Sequence, residues 1–554
     1  MYLLLLDAKS AFDRCLRQIL VCELFKAGVE GDALKFINNR LSNRLTVYEW
    51  NSELLGPSED ITGFEQGGIN SSDYYKLYNN DQLKVAQASH LGVLMGISHD
   101  DPTEPKKLIV SAIGEADDVV LVSNDLGRLG LLAYLSEEYC RKYNVTLVPS
   151  KTNLLAFYPK GWPVNPDLIS NVVVGKQIIS FSQEADHVGI TRNTAGNLAH
   201  ITNRISAYKR ALFSVLSVGI ARNNNANTGA SMRIHQLYAV PVLFSGLASL
   251  CLIKKEVSMI ESAHLKVVQN LMKLHDKTPR CFTYLVAGCL PAEAVLHQRQ
   301  LTLFLMVCHL RGNPLNEYAV TVLTNHGNAK KSWSWFQQIR ELCLRYGLLH
   351  PLQYLKFPPE RRHFKNEVKN SIILHWQSTL RSEAAMLQSL SFFTPSLYTL
   401  NSVHPAVTAA GNNPYECKKT EIMLKMQSGR YRTEQLTRHW AKNSSGFCSL
   451  FPCREVGVTG DLEHMLLHCP AMQAKREASF NIMVEKSSSM PHLVSLLTSM
   501  ENAEMMKFLL EPLSMSKIVA LCKTDISTLD HVYYLARTYV YNLHLAKLEA
   551  MKTN

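Results

Sequence analysis

No run of the 554 residues is long and apolar enough to read as a membrane span. The nearest, YAVPVLFSGLASLCLI, is broken by Pro241 and Ser245 and falls short of the roughly 20 apolar residues a spanning helix needs. It reads as one or two buried helices, and no membrane partner is expected. A signal peptide is missing too. MYLLLLD is short, has no basic start and runs into acid, so it reads as a strand. The thirteen cysteines lack the spacing of a secreted disulfide framework, which points to reduced thiols in an intracellular protein, in nucleus or cytoplasm. Internal repeats and long low-complexity tracts are absent, which argues against solenoids and disordered arrays.

What is present is globular. Apolar residues make up 46% and charged residues 19%, a balance that can bury a core. The length exceeds what one core supports and predicts about two to four domains. The excess of 58 Lys+Arg over 47 Asp+Glu fits a polyanionic partner and an ordinary basic surface equally well.

Residues 1–190 alternate strand-like and helix-like segments. YLLLLDA, RLTVYEW, TLVPSKTNLLAFY, VVVGKQIISF and ADHVGIT are strand-like. DRCLRQILVCELFKAG, SSDYYKLYNNDQLKVAQAS and LGRLGLLAYLSEEYCRKYN have helical spacing, the first with Gly28 as its stop. LIVSAIGEADDVVLVS divides into two short strands that meet at a tight turn. The fold class is α+β. From about residue 195 helical periodicity dominates, as in NLAHITNRISAYKRALFSVL and KKEVSMIESAHLKVVQNLMKL.

Despite the positive balance, two of these strand-like runs end on carboxylates: Asp7 in the first, Asp117 and Asp118 in the hairpin. Three acids at one sheet edge repel and raise one another's pKa unless a cation lies between them. Magnesium suits such a site, since it takes carboxylates and leaves positions for phosphate oxygens. Two ions about 3.5–4 Å apart can serve a phosphoryl transfer. The simpler readings are an N-cap for Asp7 and turn residues for the pair.

DAKSAFD, FEQGGINSS, ADDVVLVS, NVTLVPSKTNLLAF and DHVGI, in this order and spacing, resemble motifs A to E of reverse transcriptases. The QGG..SS form, with a helical and Cys/His-bearing continuation, resembles the non-LTR (LINE-type) retrotransposon branch. The resemblance implies an RNA-directed DNA polymerase that acts on an RNA template, a DNA primer and dNTPs with two magnesium or manganese ions. Residues 1–190 would form part of a right-hand polymerase palm, an antiparallel sheet with helices. Residues 191–290 would be a helical thumb, 291–440 a helical connector, 441–475 a small zinc element and 476–554 a helical tail.

Residue by residue, Asp7, Asp117 and Asp118 would hold the magnesium ions. Phe12 would be the steric gate against a 2′-hydroxyl, and Gln66, Gly67 and Gly68 would line the nucleotide pocket. Lys151 would neutralise or protonate the departing pyrophosphate. His187 and Gly189 would belong to the primer-gripping hairpin. Arg204, Lys209 and Arg210, with Tyr208, sit where a thumb clasps the duplex. Two features depart from the family pattern. Glu115 stands two residues before Asp117, where the family has an aromatic or apolar residue, and strand alternation would put it on the face of Asp117. The family's finger region precedes motif A, whereas Asp7 lies six positions from the first residue, so the chain is expected to be cut at its start. The alternative is therefore a catalytically inactive remnant that at most binds nucleic acid.

FCSLFPCREVGVTGDLEHMLLHCPAM supplies Cys448, Cys453, His464 and Cys469, four ligands suited to tetrahedral zinc, with His468 competing for the histidine position. Buried thiols are the plainer reading. The cluster resembles the CCHC element of LINE-type reverse transcriptases. Just before it, KMQSGRYRTEQLTRHW interleaves Lys425, Arg430, Arg432 and Arg438 with Tyr431, His439 and Trp440, a pattern that fits phosphates and unpaired bases as well as a solvated helix.

Overall fold

The run YLLLL is apolar at every position, which a strand requires only when both its faces are covered. In the computed structural model this run is β1 (Tyr2–Leu6), the middle strand of a five-stranded sheet. The structure describes residues 1–42, 44–60, 62–65, 68–98, 106–158, 170–216, 227–310, 314–325, 334–438, 445–524 and 526–553. They form two compact units. Unit 1 comprises residues 1–202, 306–338 and 351–358, and unit 2 comprises 203–305, 339–350 and 359–554.

In unit 1, β1 leads through a turn into helices α1 (Arg17–Lys26) and α2 (Gly31–Leu41), then the hairpin β2 (Arg44–Trp50) and β3 (Glu53–Asp60). Helix α3 (Ser71–Ala88) follows, then β4 (Val93–Ser98) and β5 (Lys106–Val110), which pair with each other. Strands β6 (Ala112–Glu115) and β7 (Asp118–Ser123) form the acid-bearing hairpin, and helix α4 (Leu126–Lys142) comes next. Short strands complete the unit: β8 (Asn153–Ala156), β9 (Val173–Val174), β10 (Gln177–Ile178), β11 (Phe181–Ser182), β12 (Glu184–His187) and β13 (Ile190–Asn193). The sheet order is β11-β8-β1-β7-β6, antiparallel except where β11 joins β8.

Alternation along β1 divides its side chains between two apolar clusters. Leu4 and Leu6 join Val119, Leu121 and Leu154 beneath Leu129, Leu132 and Ala133 of α4. Leu5 joins Val120, Val122 and Leu155 on the opposite face. Each fully buried leucine contributes on the order of 1.5–3 kcal/mol. Asp125 fixes the start of α4 by accepting from the Arg128 N–H at 2.8 Å, and Arg141 and Lys142 complement its C-terminal dipole. Residues 306–338 return to this unit, where the helix Pro314–Asn325 packs on β4, with Thr321 Cγ2 3.1 Å from where a Cβ at Gly96 would stand.

Unit 2 is helical. Leu198–Leu216 forms α5, whose residues from Asn203 onward lie in this unit. The long helices Lys254–Leu271, Arg361–Ala385 and Ile526–Thr553 carry much of its framework. Cys448, Cys453 and Cys469 belong to the same apolar cluster as Met483, Leu497, Phe508 and Val540, so the Cys/His segment and the C-terminal helices share one core. None of the thirteen cysteines is in a disulfide. Among the described residues no helix is long and apolar enough to cross a membrane.

Candidate functional site

The carboxylates lie at one end of the sheet. The β1–β7 register runs from Tyr2 opposite Ser123 to Leu6 opposite Val119, so its next step sets Asp7 beside Asp118. Asp117 occupies the β6–β7 turn, where Ala116 takes φ 53°. Burial pushes the Asp117 carboxyl above its ordinary range, and the charges of Asp118 and Asp7 push it further, while a backbone N–H opposes them. Asp118 is raised by burial and then by Asp7. The N-cap reading of Asp7 fails, because the next helix, α1, is preceded by Leu16.

The chain positions a cation that the sequence left without a partner. Beyond β1 the backbone runs beside residues 146–148: Lys9 N–H donates to Thr146 O at 2.8 Å and Val148 N–H to Asp7 O at 2.9 Å. The turn that follows carries Lys151, whose Nζ lies 3.8 Å from Asp7 Oδ2. Lys151 is 69% exposed, so this pair is worth well under 1 kcal/mol.

Strand alternation stops at Glu115, because residues 116 and 117 form the turn, and Glu115 stands in register with Asp118. It is exposed.

Phe12 is half-buried and stacks on Tyr75 of α3, ring centroids 4.7 Å apart. Tyr75 is buried, and its hydroxyl titration is raised by burial, then by Cys15, then by Asp117, so the aromatic pair borders the acids. Gln66 and Gly67 lie outside the described residues. Gly68 precedes α3, and a Cβ there would stand 2.7 Å from Ser71 Oγ. His187 ends β12 in a hairpin whose turn residues, Val188 and Gly189, take φ 50° and 70°. That turn suits the twist of paired strands, and it strains the β-branched valine. Burial and Arg192 lower the His187 pKa, and neither ring nitrogen has a hydrogen-bond partner among the described residues.

In unit 2 the basic candidates separate. On α5, Lys209 and Arg210 are exposed, whereas Arg204 is half-buried. Tyr208 is a core residue, its hydroxyl 2.7 Å from His235 Nε2. Tyr431 is buried as well and bonds His544 Nδ1 at 2.9 Å. Lys425 is ion-paired to Glu421 at 2.7 Å. Arg430 is half-buried with its Nε unpartnered among the described residues, and Arg432 and Arg438 are exposed. His439 and Trp440 lie outside the described residues.

The Cys/His cluster closes into a metal-binding geometry. One ligand atom each from Cys448, Cys453, His464 and Cys469 lies within 4.8 Å of the others, and all four residues are buried. Cys448 sits on a short ladder, its N–H bonding Val458 O at 2.7 Å, and Gly457 (φ 72°) ends the turn of helix that begins at Cys453. The Asp461 carboxylate accepts from the His464 N–H at 2.7 Å, and the Cys469 N–H bonds His464 O at 2.7 Å, which swings both side chains toward Cys453. Burial raises all three thiols and lowers His464. His464 Nε2 is buried with no hydrogen-bond partner among the described residues, as expected of an atom reserved for a ligand bond. His468 is excluded from the set: it is 44% exposed, with Nε2 3.5 Å from Glu463 Oε1. The buried Cys3His cluster can bind a metal such as zinc. Arg476 donates to Cys469 O and Tyr539 to Leu466 O at 3.3 Å, tying the ligand loops to the helical core.

One cationic surface escaped the sequence reading. Arg361, Arg362, Lys365 and Lys369 are exposed on the first half of the helix Arg361–Ala385, and none ion-pairs with a described residue. Arg361, Lys365 and Lys369 recur at i, i+4, i+8 beside the buried stripe of Phe364, Val368 and Ile372. That spacing in RRHFKNEVKN was the available signal.

No family model matches the chain and no curated protein matches it, so the resemblance to reverse transcriptases rests on the motif residues alone.

Proposed function

We propose that the chain is an RNA-directed DNA polymerase of the LINE type, transferring dNTPs to a primer 3′-hydroxyl on an RNA template. The observation that carries this reading is the convergence of Asp7, at the end of β1, on Asp117 and Asp118, where burial and the neighbouring acids hold the Asp117 and Asp118 carboxyls above their ordinary range. Such a cluster is relieved by divalent cations, and these three residues are the donors that would hold magnesium. Bound there, magnesium supplies charge neutralisation for the reacting phosphate and a lowered pKa for the attacking hydroxyl. The chain's own residues position and protonate. Phe12, backed by Tyr75, crowds the sugar and favours deoxynucleotides. Lys151 stands beside Asp7, where it can give a proton to the leaving pyrophosphate. The partial palm, the thumb role of Lys209 and Arg210, and a template grip by the zinc element belong to the same proposal. The exposed cations of the helix Arg361–Ala385 support a polyanionic partner.

A second reading has its own support. Glu115 in register with Asp118 adds a fourth carboxylate that would repel an anionic primer there, which suits a chain that binds nucleic acid elsewhere without catalysis. Primer extension separates the two. The polymerase reading expects deoxynucleotide incorporation on an RNA template with magnesium or manganese, and a fall of at least about 100-fold in Asp117→Asn. No incorporation by the parent chain, or undiminished incorporation by the variant, removes it and leaves the binding reading.

A further inference from the structure

Unit 2 holds an open cleft of about 200 Å³ between the loop after the helix Arg361–Ala385, the end of the helix Pro414–Gln427 and the edge of the Cys/His segment. One buried water needs only about 10–15 Å³, so the space accepts a planar group many times larger. Its walls are apolar and aromatic, with Phe392, Met426 and Tyr431 among them, and Gln388, Ser391 and Gln435 stand at its rim. The side chains of these three rim residues are exposed and make no hydrogen bond with a described residue. Among the described residues no charged one lines the cleft. Apolar walls with uncommitted amides and a hydroxyl suit a neutral, flat ligand with donors and acceptors along its edge.

The cleft is held in shape by its backbone. Gly429 takes φ 63°, and a Cβ there would stand 2.3 Å from Ser389 O, so two of the wall segments approach as closely as only glycine permits. The same segment carries Arg430 immediately after Gly429, with its buried Nε unpartnered among the described residues. A cation carried between two residues that line a neutral slot, Gly429 and Tyr431, matches the anatomy of a nucleotide, phosphate outside and base within.

We propose that this cleft receives one unpaired base of a single-stranded nucleic acid, with Arg430 meeting the adjoining phosphate. The inference rests on the nucleic-acid side of the proposed function and names a subsite for it, independent of the carboxylates.

The probe is a labelled 12-nucleotide oligouridine, compared with an abasic strand of the same length, against the full chain and two variants. Ser391→Phe fills the cleft from an exposed position, and Gln435→Ala removes a rim amide. Ser391→Phe should weaken binding of the uridine strand between about 5-fold and 150-fold, the range one stacked base contributes, and should barely change binding of the abasic strand. Gln435→Ala gives the same pattern at smaller amplitude and serves alone if the bulky variant does not fold. A 4-thiouridine strand should cross-link to residues 388–392 or 426–436. Oligothymidine in parallel tells whether the 2′-hydroxyl matters. Equal affinities for parent and variants, equal losses on the abasic strand, or cross-links confined elsewhere overturn the subsite. The two proposals fail separately: primer extension by the parent chain with silent cleft variants removes only the subsite, and a base-dependent cleft effect without primer extension removes only the polymerase.

Discussion

Cys453 Sγ stands 3.8 Å from Cys469 Sγ. A disulfide would bring the sulfurs to about 2.05 Å, so the two thiols are not bonded to each other. A tetrahedron with metal–sulfur bonds of about 2.3 Å has an edge of about 3.8 Å, the separation found here. Cys448 and His464 complete the four corners, and the helical core closes around them.

Metal content follows from that geometry. His464→Ala should drop zinc from about one per chain to a small fraction, measured on protein purified without chelator. His468→Ala should leave it unchanged, because that ring points to Glu463. Since the ligands share their apolar cluster with the C-terminal helices, the first variant should also lower the Tm by more than about 5 °C. Equal zinc in both variants contradicts the ligand assignment.

A buried carboxyl gives unit 2 a pH dependence. Glu511 is 2% exposed, accepts from the Tyr398 hydroxyl and takes the Thr394 N–H at 3.3 Å. Burial pushes it from an ordinary value of 4.5 to about 7, against the opposing pull of those hydrogen bonds. Its folded pKa lies above its unfolded one, so its contribution is full below about pH 4.5 and is lost as pH climbs through 7. The span is about 3 kcal/mol at most. Urea midpoints of the parent should therefore fall between pH 5.5 and pH 8, and Glu511→Gln should flatten that slope. A parallel slope in the variant contradicts the assignment.

Arg537 is 2% exposed, with Nε 2.6 Å from Glu416 Oε2, and it also donates to the carbonyls of Ala406 and Ala409. Lys419 holds the other Glu416 oxygen at 2.7 Å. Arg537→Leu takes a donor from two carbonyls and from half of a buried carboxylate, leaving Ala406 O only the Thr420 hydroxyl at 3.4 Å, and should cost about 3–5 kcal/mol. Chemical denaturation measures it; a loss below about 1 kcal/mol would show that the network is not shut off from water.

How far the sequence reaches depends on the range of the interaction that decides each feature. The acid hairpin, β1, α3 and α4 were legible because local periodicity and turn chemistry specify them. The Cys3His cluster was legible from spacing, but the choice of His464 over His468 awaited the turn that Asp461 starts. Lys151 beside Asp7 was invisible as a pair, since 144 residues separate them and the backbone bonds of residues 146–148 create the contact. Tyr208 read as part of a thumb clasp and Tyr431 as a ring among cations, both without a visible hydroxyl partner. Their hydroxyls instead find His235 and His544, partners that only tertiary packing supplies. The return of residues 306–338 to unit 1 left no local mark either.

The acids at the end of β1 and in the β6–β7 turn act as one cation site if manganese, titrated into the parent chain and into Asp117→Asn and followed by electron paramagnetic resonance, distinguishes the two. Binding by the parent should be saturable, and the variant should lose at least about tenfold in affinity, or a site. Identical titrations for the two proteins would contradict the shared site.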